Sequence, residues 1–447
     1  MKRSFWILLT FVFRTATVFS QDWKKITATS DSITFSKKIN PEKYKIAGNP
    51  ALEQLSQLAI SNNISDSALY QQLKNWNNYP TPSKRGVICE YRLQLDSNYR
   101  VPYLVYIPKN YDPTHKTSLL IYYKGGWISR KKLPADYAKE IVTDNPTFDY
   151  LDENNSIEIF PALESKLAIY GNYGYKHLTE MIAQTKKLFN IDDNKVFLSG
   201  FSDGGKTVYL SSNLIPSAFA CFYPINGSIV SPPFYPNYVN RPICSFVADK
   251  DELTDYRSIL TKAAYALSLG ADWQYRQLKG KKHMYFSYQN EVLPYMFENM
   301  KSKYRNPYPT SVTYQLSYNY KDFTGIDWIQ MKVNTDKKTS AFHFTDSIRT
   351  FSADGEERNY RYGEKTGQLK ATCFNNTYTI EASLVDEVDI YISPMMVDLN
   401  SPIKVIINGK EVFSEKLTYS KTFMVDRFNH YFDREQLWVN KITLSVP

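Results

Sequence analysis

Residues 200–207 combine glycines, a serine and a lysine at spacings that serve two different kinds of chemistry. The segment begins GFSDG, which matches the G-x-S-x-G pattern in which Ser202 would be a nucleophile. The whole segment, GFSDGGKT, also matches the G-x-x-x-x-G-K-[ST] pattern of a phosphate-binding loop, in which Lys206 would contact a nucleotide. Both patterns require a buried strand that enters a tight turn and then a helix, and the flanking residues predict that context. The segment alone leaves both interpretations open.

The residues that a nucleophilic serine requires occur elsewhere in the chain, in a suitable order. Such a serine needs a base and an acid that orients the base. In hydrolases with the G-x-S-x-G pattern these side chains come in the order serine, acid, histidine, each after a strand. Downstream of Ser202, one predicted strand ends at Asp249 and Asp251, and the next ends at His283. Upstream, the strand at 119–123 is followed by a Gly-Gly pair, where a backbone N–H can face a developing oxyanion.

The phosphate-loop interpretation fits the rest of the chain less well. Phosphate loops usually follow the first strand of their domain, whereas several predicted strands precede this segment. A phosphate-binding loop would also need a supply of nucleotide, which is found inside the cell and is not available to an exported protein. Asp249 at a strand end could imitate a carboxylate that holds magnesium, so the alternative has some support. We favour the nucleophile, which makes Lys206 and Thr207 ordinary helix residues.

The sequences of three predicted strands, with the residues that follow them, resemble those of the α/β-hydrolase superfamily. The matching runs are YLVYIPKNY at 103–111, LLIYYKGG at 119–126 and VFLSGFSDGG at 196–205. Within the superfamily the chain is similar to secreted esterases of the feruloyl esterase, polyhydroxybutyrate depolymerase and dienelactone hydrolase type. The resemblance covers about residues 86–303 and implies an α/β fold in which a mostly parallel central sheet is flanked by helices.

The resemblance also implies roles for individual residues. It implies Ser202 as nucleophile, His283 as base and Asp251 or Asp249 as acid. Asp251 fits better, since ADKD at 248–251 resembles the G-x-x-D pattern of the family. The family often has a histidine before its oxyanion glycines, where this chain has Lys124.

The oxyanion donors are expected to be two backbone N–H groups. One belongs to Asp203, and the other to Gly126 or Trp127. The Asp203 carboxylate would lie at the start of a helix, where negative charge is favoured in any case, and it needs no catalytic role.

Each of these residues has a simpler explanation as well. Ser202 could cap a helix, and His283 could be an exposed loop histidine among lysines. Asp255 is a further acid but lies too far into the next helix. The other histidines, His115, His177, His343 and His430, all break the chain order that the pattern requires.

Periodicity along the chain predicts four segments. Residues 1–20 have a basic start and a nine-residue apolar run, which is typical of a signal peptide and too short to span a bilayer. Residues 21–85 contain two short helical patterns. Residues 86–304 alternate strands and helices, as in an α/β-hydrolase domain. Residues 305–447 show short alternating strands and an Asn408-Gly409 hairpin signal, which predicts an all-β, sandwich-like domain.

The composition of the chain limits the classes of partner that we expect it to bind. The formal net charge is +9, but the positive residues are scattered, so we expect no nucleic-acid binding. The four cysteines lack metal-binding spacing and are expected to be buried and unpaired. Aromatic residues make up 15% of the chain, which leaves carbohydrate contact by the C-terminal domain open beside simple packing.

Together these features predict a secreted or periplasmic serine hydrolase that cleaves carboxylic esters. It would act on a small or polymer-linked ester substrate, without a cofactor, a metal or a transmembrane span. Two alternatives stay open: a serine peptidase of the same fold, and a non-catalytic binding protein on a hydrolase scaffold.

Overall fold

The computed structural model describes residues 42–43, 64–134, 136–143, 147–229, 234–285, 288–317, 324–342, 347–351, 356–361 and 365–447. The predicted signal peptide at 1–20 and the first helical pattern of the lead-in, at 52–59, lie outside these residues. The second pattern of the lead-in forms the helix Asp66–Lys74, which Ser65 caps by accepting the N–H of Ala68 at 3.2 Å.

A mixed sheet forms the centre of the region predicted as α/β. In the described part of the chain it has nine strands, in the order β1-β2-β3-β5-β4-β6-β7-β8-β9. Their bounds are β1 Glu42–Lys43, β2 Val87–Gln94, β3 Arg100–Ile107, β4 Thr117–Tyr123, β5 Ser156–Pro161, β6 Ile191–Phe201, β7 Cys221–Ile225, β8 Ile243–Ala248 and β9 Trp273–Leu278. Strand β3 runs antiparallel to both neighbours, and the other pairs are parallel.

Helices connect these strands and flank the sheet. The described helices are α1 Asp66–Lys74, α2 Tyr137–Thr143, α3 Phe148–Glu153, α4 Gly174–Leu188, α5 Asp203–Leu214, α6 Tyr256–Ser268, α7 Gln289–Ser302 and, in the C-terminal region, α8 Lys421–Tyr431. The central strands are buried along their whole length, as in β5, β7 and β8, because helices cover both faces of the sheet. This sheet with its flanking helices confirms the α/β-hydrolase architecture that the sequence predicts.

The C-terminal region is rich in β-structure, as expected. Its described strands are β10 Ser311–Ser317, β11 Gly325–Ile326, β12 Ile329–Val333, β13 Ser347–Phe351, β14 Glu357–Arg361, β15 Thr366–Phe374, β16 Thr377–Ser383, β17 Val385–Ile392, β18 Ile403–Ile407, β19 Lys410–Glu415 and β20 Asn440–Ser445. They form the sheets β10-β15-β16-β18-β19 and β11-β12-β17-β20 and the pair β13-β14. Asn408 and Gly409 have φ of 49° and 80° and join β18 to β19, which confirms the predicted hairpin.

The region also contains a helix that the sequence analysis did not predict. Helix α8 buries Met424, Val425 and Phe428 and begins after Ser420, whose hydroxyl accepts the N–H of Phe423 at 3.4 Å. The region is therefore β-rich rather than purely β.

Buried ion pairs join the C-terminal region to the central sheet. Asp433 accepts Lys186 Nζ, from α4, at 3.0 Å and Arg305 Nη1 at 2.8 Å. Arg434 Nε lies 2.9 Å from an oxygen of Asp193, on β6. All five side chains are at most 8% exposed, so this contact excludes water.

Two further predictions concern helices and cysteines. Among the described residues, no helix combines the length and the apolar character needed to cross a bilayer. As predicted, the four cysteines are buried, and none of them forms a disulfide bond; they are Cys89, Cys221, Cys244 and Cys373.

Candidate active site

Ser202 occupies a strained turn between β6 and α5. Its φ is 57° and its ψ is −115°, a combination that is costly for a residue with a side chain. The Ser202 N–H donates to the carbonyl of Ile225, at the end of β7, at 2.9 Å. The turn is thereby held from the neighbouring strand, and the serine side chain is placed at the carboxyl edge of the sheet.

The glycines of the GFSDG segment allow the close approach of strand and helix. A Cβ on Gly204 would lie 1.8 Å from the carbonyl oxygen of Tyr123, at the end of β4. A Cβ on Gly200 would lie 2.6 Å from the backbone of Gly204. Since real contacts do not reach these distances, only glycine fits at either position.

The structure brings Ser202, His283 and Asp251 together at this edge. His283 Nε2 lies 2.8 Å from Ser202 Oγ, and His283 Nδ1 lies 2.8 Å from Asp251 Oδ2. The side chains of His283 and Asp251 are 5% and 1% exposed. A hydroxyl, an imidazole and a carboxylate in this sequence of contacts can move a proton from the serine to the histidine.

The geometry separates the two candidate acids. Asp251 also accepts the N–H groups of Leu253 and Thr254, at 2.8 and 2.9 Å, which fixes its carboxylate towards His283. Asp249 points instead to the loop after β9, where Gly280 N–H lies 2.6 Å from its Oδ1. Asp255 caps helix α6.

The other histidines occupy different surroundings. His115 is exposed and pairs with Asp112 at 2.8 Å. His177 is fully buried on α4, and its burial lowers its pKa to about 3. His430 lies on α8, and His343 lies outside the described residues.

The loop after β4 carries the candidate oxyanion donors. The Trp127 N–H donates to Asp203 Oδ2 at 3.0 Å, and the Ile128 N–H donates to the same oxygen at 3.2 Å. The Trp127 N–H is therefore engaged elsewhere, which leaves Gly126, with φ of 73°, as the remaining candidate donor on this loop. The second candidate, the Asp203 N–H, lies in the first turn of α5, where N–H groups have no partner within the helix.

Two side chains hold this loop in ways that the sequence analysis did not predict. The Asp203 carboxylate, assigned no role from sequence, accepts the two N–H groups of the loop. Lys124 is 3% exposed and donates to the carbonyl of Glu140, on α2, at 2.7 Å. The position at which the family often has a histidine thus ties the loop to a neighbouring helix.

Asn226 is a further residue that sequence reasoning missed. It is 2% exposed, and its Nδ2 donates to the carbonyl of His283 at 3.0 Å, while its Oδ1 accepts the N–H of Ala248 at 2.9 Å. It also contacts the hydroxyl of Tyr288, which donates to the carbonyls of Lys282 and His283. Burial raises the pKa of Tyr288, so this hydroxyl keeps its proton. The sequence signal that could have indicated this role is the position of Asn226, a polar residue directly after the buried strand β7.

The phosphate-loop alternative finds no support in the geometry. Thr207, which would have to face a magnesium ion, is 2% exposed and donates its hydroxyl to the carbonyl of Asp203 at 3.0 Å. Lys206 Nζ lies 5.9 Å from the ring centre of Tyr170. Asp249, the candidate magnesium carboxylate, binds the loop after β9 instead. Within the described residues, no group of three or more His, Cys, Asp or Glu side chains is placed to hold a metal ion.

Comparison with known proteins gives one curated relative. The chain is 28% identical over 113 residues to the bifunctional acetylxylan esterase/xylanase XynS20E of Neocallimastix patriciarum. The match covers 24% of this chain and 16% of the length of that relative. No family model matches.

The chain is also similar, at low identity, to several solved structures. A thermostable esterase is 18% identical, with a TM-score of 0.41, over 49% of this chain and 63% of its own. Esterase 2 of Thermogutta terrifontis is 13% identical, with a TM-score of 0.40, over 50% and 97%. The fluorophosphonate-binding serine hydrolase F of Staphylococcus aureus is 15% identical, with a TM-score of 0.39, over 48% and 99%. From its own sheet and flanking helices, this chain has the α/β-hydrolase fold.

Proposed function

We propose that this protein is a serine hydrolase that cleaves carboxylic esters through an acyl-enzyme on Ser202. The observation that carries the proposal is the chain of contacts from Ser202 Oγ to His283 and from His283 to Asp251, each 2.8 Å long. The strained backbone of Ser202 supports the same proposal, because such strain persists only where the surrounding structure maintains it.

The proposed reaction has two acyl-transfer steps. His283 Nε2 takes the proton of Ser202 as its oxygen attacks the ester carbonyl carbon. The histidine then gives that proton to the leaving alcohol, and an acyl-serine forms. In the second step His283 takes a proton from water, the hydroxide attacks the acyl-serine, and the proton returns to Ser202 as the acid leaves. Asp251 holds the histidine in the required orientation throughout.

The negative charge on the substrate oxygen would be stabilised by the N–H groups of Asp203 and Gly126. Removal of one such donor in other hydrolases costs about 2.7–4 kcal/mol of transition-state stabilisation. Since one donor opens α5, the positive end of that helix adds to the effect.

Acetyl esters are the first substrates to test, because the name of the curated relative includes an acetylxylan esterase. The test is labelling by a fluorophosphonate probe, with turnover of p-nitrophenyl acetate and of acetylated xylan read in parallel. Ser202→Ala and His283→Ala should lose both labelling and turnover. Their matched controls, Ser268→Ala and His115→Ala, change exposed residues and should keep both. A folded wild-type protein that takes up no probe would contradict the proposal.

Amide substrates decide between an esterase and a peptidase of the same fold. The panel therefore includes p-nitroanilide amides beside the p-nitrophenyl esters. Turnover of the amides at rates comparable to the esters would replace esterase by peptidase in the proposal. Retained ligand binding without turnover would instead favour a non-catalytic scaffold.

We also propose that residues 1–20 direct export and are removed before Gln21. Lys2 and Arg3 followed by the apolar run at 5–13 support this proposal. Expression of the full chain in a bacterium, followed by mass spectrometry of the periplasmic or secreted product, should give a protein that begins at Gln21.

A further inference from the structure

Asn226 lies where the segments that carry Ser202, Asp251 and His283 meet. These segments are the serine turn after β6, the loop after β8 with Asp251, which we call the acid loop, and the loop after β9 with His283, which we call the base loop. Asn226 is the first residue after β7, and its side chain is buried. Its φ of 46° lies in the left-handed region, which asparagine tolerates better than most residues with a side chain. Its side chain and the backbone beside it contact all three segments.

The backbone on either side of Asn226 is fixed to the serine turn and its helix. Ile225, directly before it, accepts the Ser202 N–H at 2.9 Å. Gly227, directly after it, packs so closely on α5 that a Cβ there would lie 2.3 Å from the carbonyl carbon of Gly205. Asn226 therefore keeps a fixed position relative to the nucleophile.

The carboxamide oxygen and the backbone carbonyl of Asn226 hold the acid loop. Oδ1 accepts the N–H of Ala248 at 2.9 Å, and the Ala248 carbonyl accepts the N–H of Asp251 at 3.4 Å. The Asn226 carbonyl accepts the hydroxyl of Thr254 at 3.4 Å, and the Thr254 N–H donates to the Asp251 carboxylate at 2.9 Å. The acid loop is thereby connected to Asn226 on both sides of Asp251.

The carboxamide nitrogen of Asn226 holds the base loop. Nδ2 donates to the His283 carbonyl at 3.0 Å and contacts the Tyr288 hydroxyl. That hydroxyl donates in turn to the carbonyls of Lys282 and His283, at 2.9 and 3.1 Å. A carboxamide has one donor end and one acceptor end, so it satisfies both loops at once. An apolar side chain or an ionised carboxylate would leave at least one loop without its partner.

We propose that Asn226 is a positioning residue that holds the acid and base loops in place relative to the serine turn. It would thereby maintain the contacts from Ser202 to His283 and from His283 to Asp251. Since Asn226 is buried and bonds the backbone of the two loops, it acts through the catalytic side chains and not on the substrate. The inference deepens the proposed function and rests on it. A displaced imidazole should slow proton transfer and change substrate binding less.

The test compares Asn226→Asp with Asn237→Asp in the full chain. Asn237 is the matched control, because it is fully buried, donates to the carbonyls of Asn213 and Gln315, and accepts the N–H of Gln315. These partners lie on α5 and β10, outside the acid and base loops. Each substitution keeps an acceptor oxygen and removes the N–H donor.

Asn226→Asp should lower kcat for p-nitrophenyl acetate at least tenfold, with KM within about twofold of the wild-type value. Labelling by the fluorophosphonate probe should slow as well. Asn237→Asp should keep both kcat and labelling, even if urea unfolding shows that the two variants lose similar stability. This separation of kcat from KM and from stability is what a positioning role predicts and a purely structural role does not.

Two further variants decide the question if Asn226→Asp does not fold. Asn226→Gly suits the left-handed backbone and removes both the donor and the acceptor, so it should lower kcat at least as much as Asn226→Asp. Tyr288→Phe removes only the hydroxyl that connects Asn226 to the base loop, and it should lower kcat by a smaller factor. Circular dichroism establishes that each variant is folded.

The possible outcomes separate this inference from the proposed function. A folded wild type without labelling and turnover would overturn the proposed function and, with it, the inference. An active wild type would leave the proposed function standing while three results could overturn the inference alone. They are a wild-type kcat in the folded Asn226 variants, equal losses of kcat in Asn226→Asp and Asn237→Asp, and a raised KM at unchanged kcat, which would place Asn226 in substrate binding.

Discussion

The carboxylate of Asp203 accepts the backbone N–H of Trp127 at 3.0 Å and so connects the first turn of α5 to the loop after β4. The same residue offers its own N–H as a candidate oxyanion donor, and the connected loop contains the other donor, Gly126. One side chain therefore sets the distance between the two donors. This link makes Asp203 a positioning residue in the proposed mechanism.

Replacement of Asp203 by alanine should lower kcat more than it changes KM. The loop would lose its two hydrogen bonds, and a displacement of about 1 Å at a reacting group can cost about 100-fold in rate. Asp203→Asn keeps one acceptor oxygen and should recover part of the loss. The measurement is kcat and KM for p-nitrophenyl acetate, with thermal unfolding alongside. Equal kcat values for Asp203→Ala and the wild type would show that the loop needs no such link.

The pair Asp251→Asn and Asp249→Asn tests which carboxylate orients His283. An asparagine at 251 can present an N–H to the imidazole and so favour the wrong tautomer, which in a comparable triad lowers kcat about 10⁴-fold. Asp249 contacts Gly280 instead, so its replacement should keep kcat within a few-fold of the wild type. The turnover of p-nitrophenyl acetate by the two variants shows which carboxylate orients His283. A greater loss in Asp249→Asn would reverse the assignment.

Asp433→Asn should strongly destabilise the whole chain. The change removes the negative charge that both Lys186 and Arg305 face in a buried setting, and loss of one partner from such a cluster typically costs about 3–5 kcal/mol. The control is Asp389→Asn, which breaks a more exposed pair with Lys441 and should cost less than about 1 kcal/mol. Urea unfolding gives both values. Similar costs for the two variants would mean that the buried cluster contributes little.

His177 should make stability fall in acid. Burial lowers its pKa to about 3 in the folded chain, against 6.5 for an ordinary histidine. Below pH 6.5 the unfolded chain therefore binds a proton that the folded chain does not, and folding weakens as the pH falls towards 3. The cost is about 1.4 kcal/mol for each pH unit within that window.

His177→Leu removes the imidazole that binds this proton in the unfolded chain. It also removes two ring nitrogens that have no hydrogen-bond partner among the described residues. The difference in unfolding free energy between the variant and the wild type should grow as the pH is lowered from 7 to 4, as measured by urea unfolding. The exposed His115→Leu is the control and should show no such growth. Parallel pH curves for His177→Leu and the wild type would contradict the expected pKa.

Chain order was enough to predict which strand ends meet. Ser202, Asp251 and His283 follow β6, β8 and β9, and the carboxyl ends of parallel strands share one edge of a sheet. The choice of Asp251 over Asp249 could be favoured by motif but not fixed by spacing, because a loop has no regular periodicity that sets which of two nearby carboxylates faces His283.

Features that depend on contacts between distant segments could not be predicted in this way. Asn226 supports His283 across 57 positions of sequence. The sequence left the Trp127 N–H as a possible oxyanion donor, whereas in the fold it donates to the carboxylate of Asp203. The strand β5 lies between β3 and β4, an order that no local pattern encodes. Helix α8 has a short buried face, and the surrounding strands dominate the periodicity of that region.

The packing of α1 against α8 bears on how the chain can be divided. The ring centre of Trp76, which follows α1, lies 6.3 Å from that of Phe428 and 6.0 Å from that of Phe432, and the Trp76 carbonyl accepts Arg434. The helical lead-in thus has its partner at the far end of the chain. A fragment trimmed to residues 86–304 would lack both helices and the Asp433 partner of Lys186. Recombinant fragments should therefore keep at least residues 42–447, so that β1, α1 and α8 all stay with the central sheet.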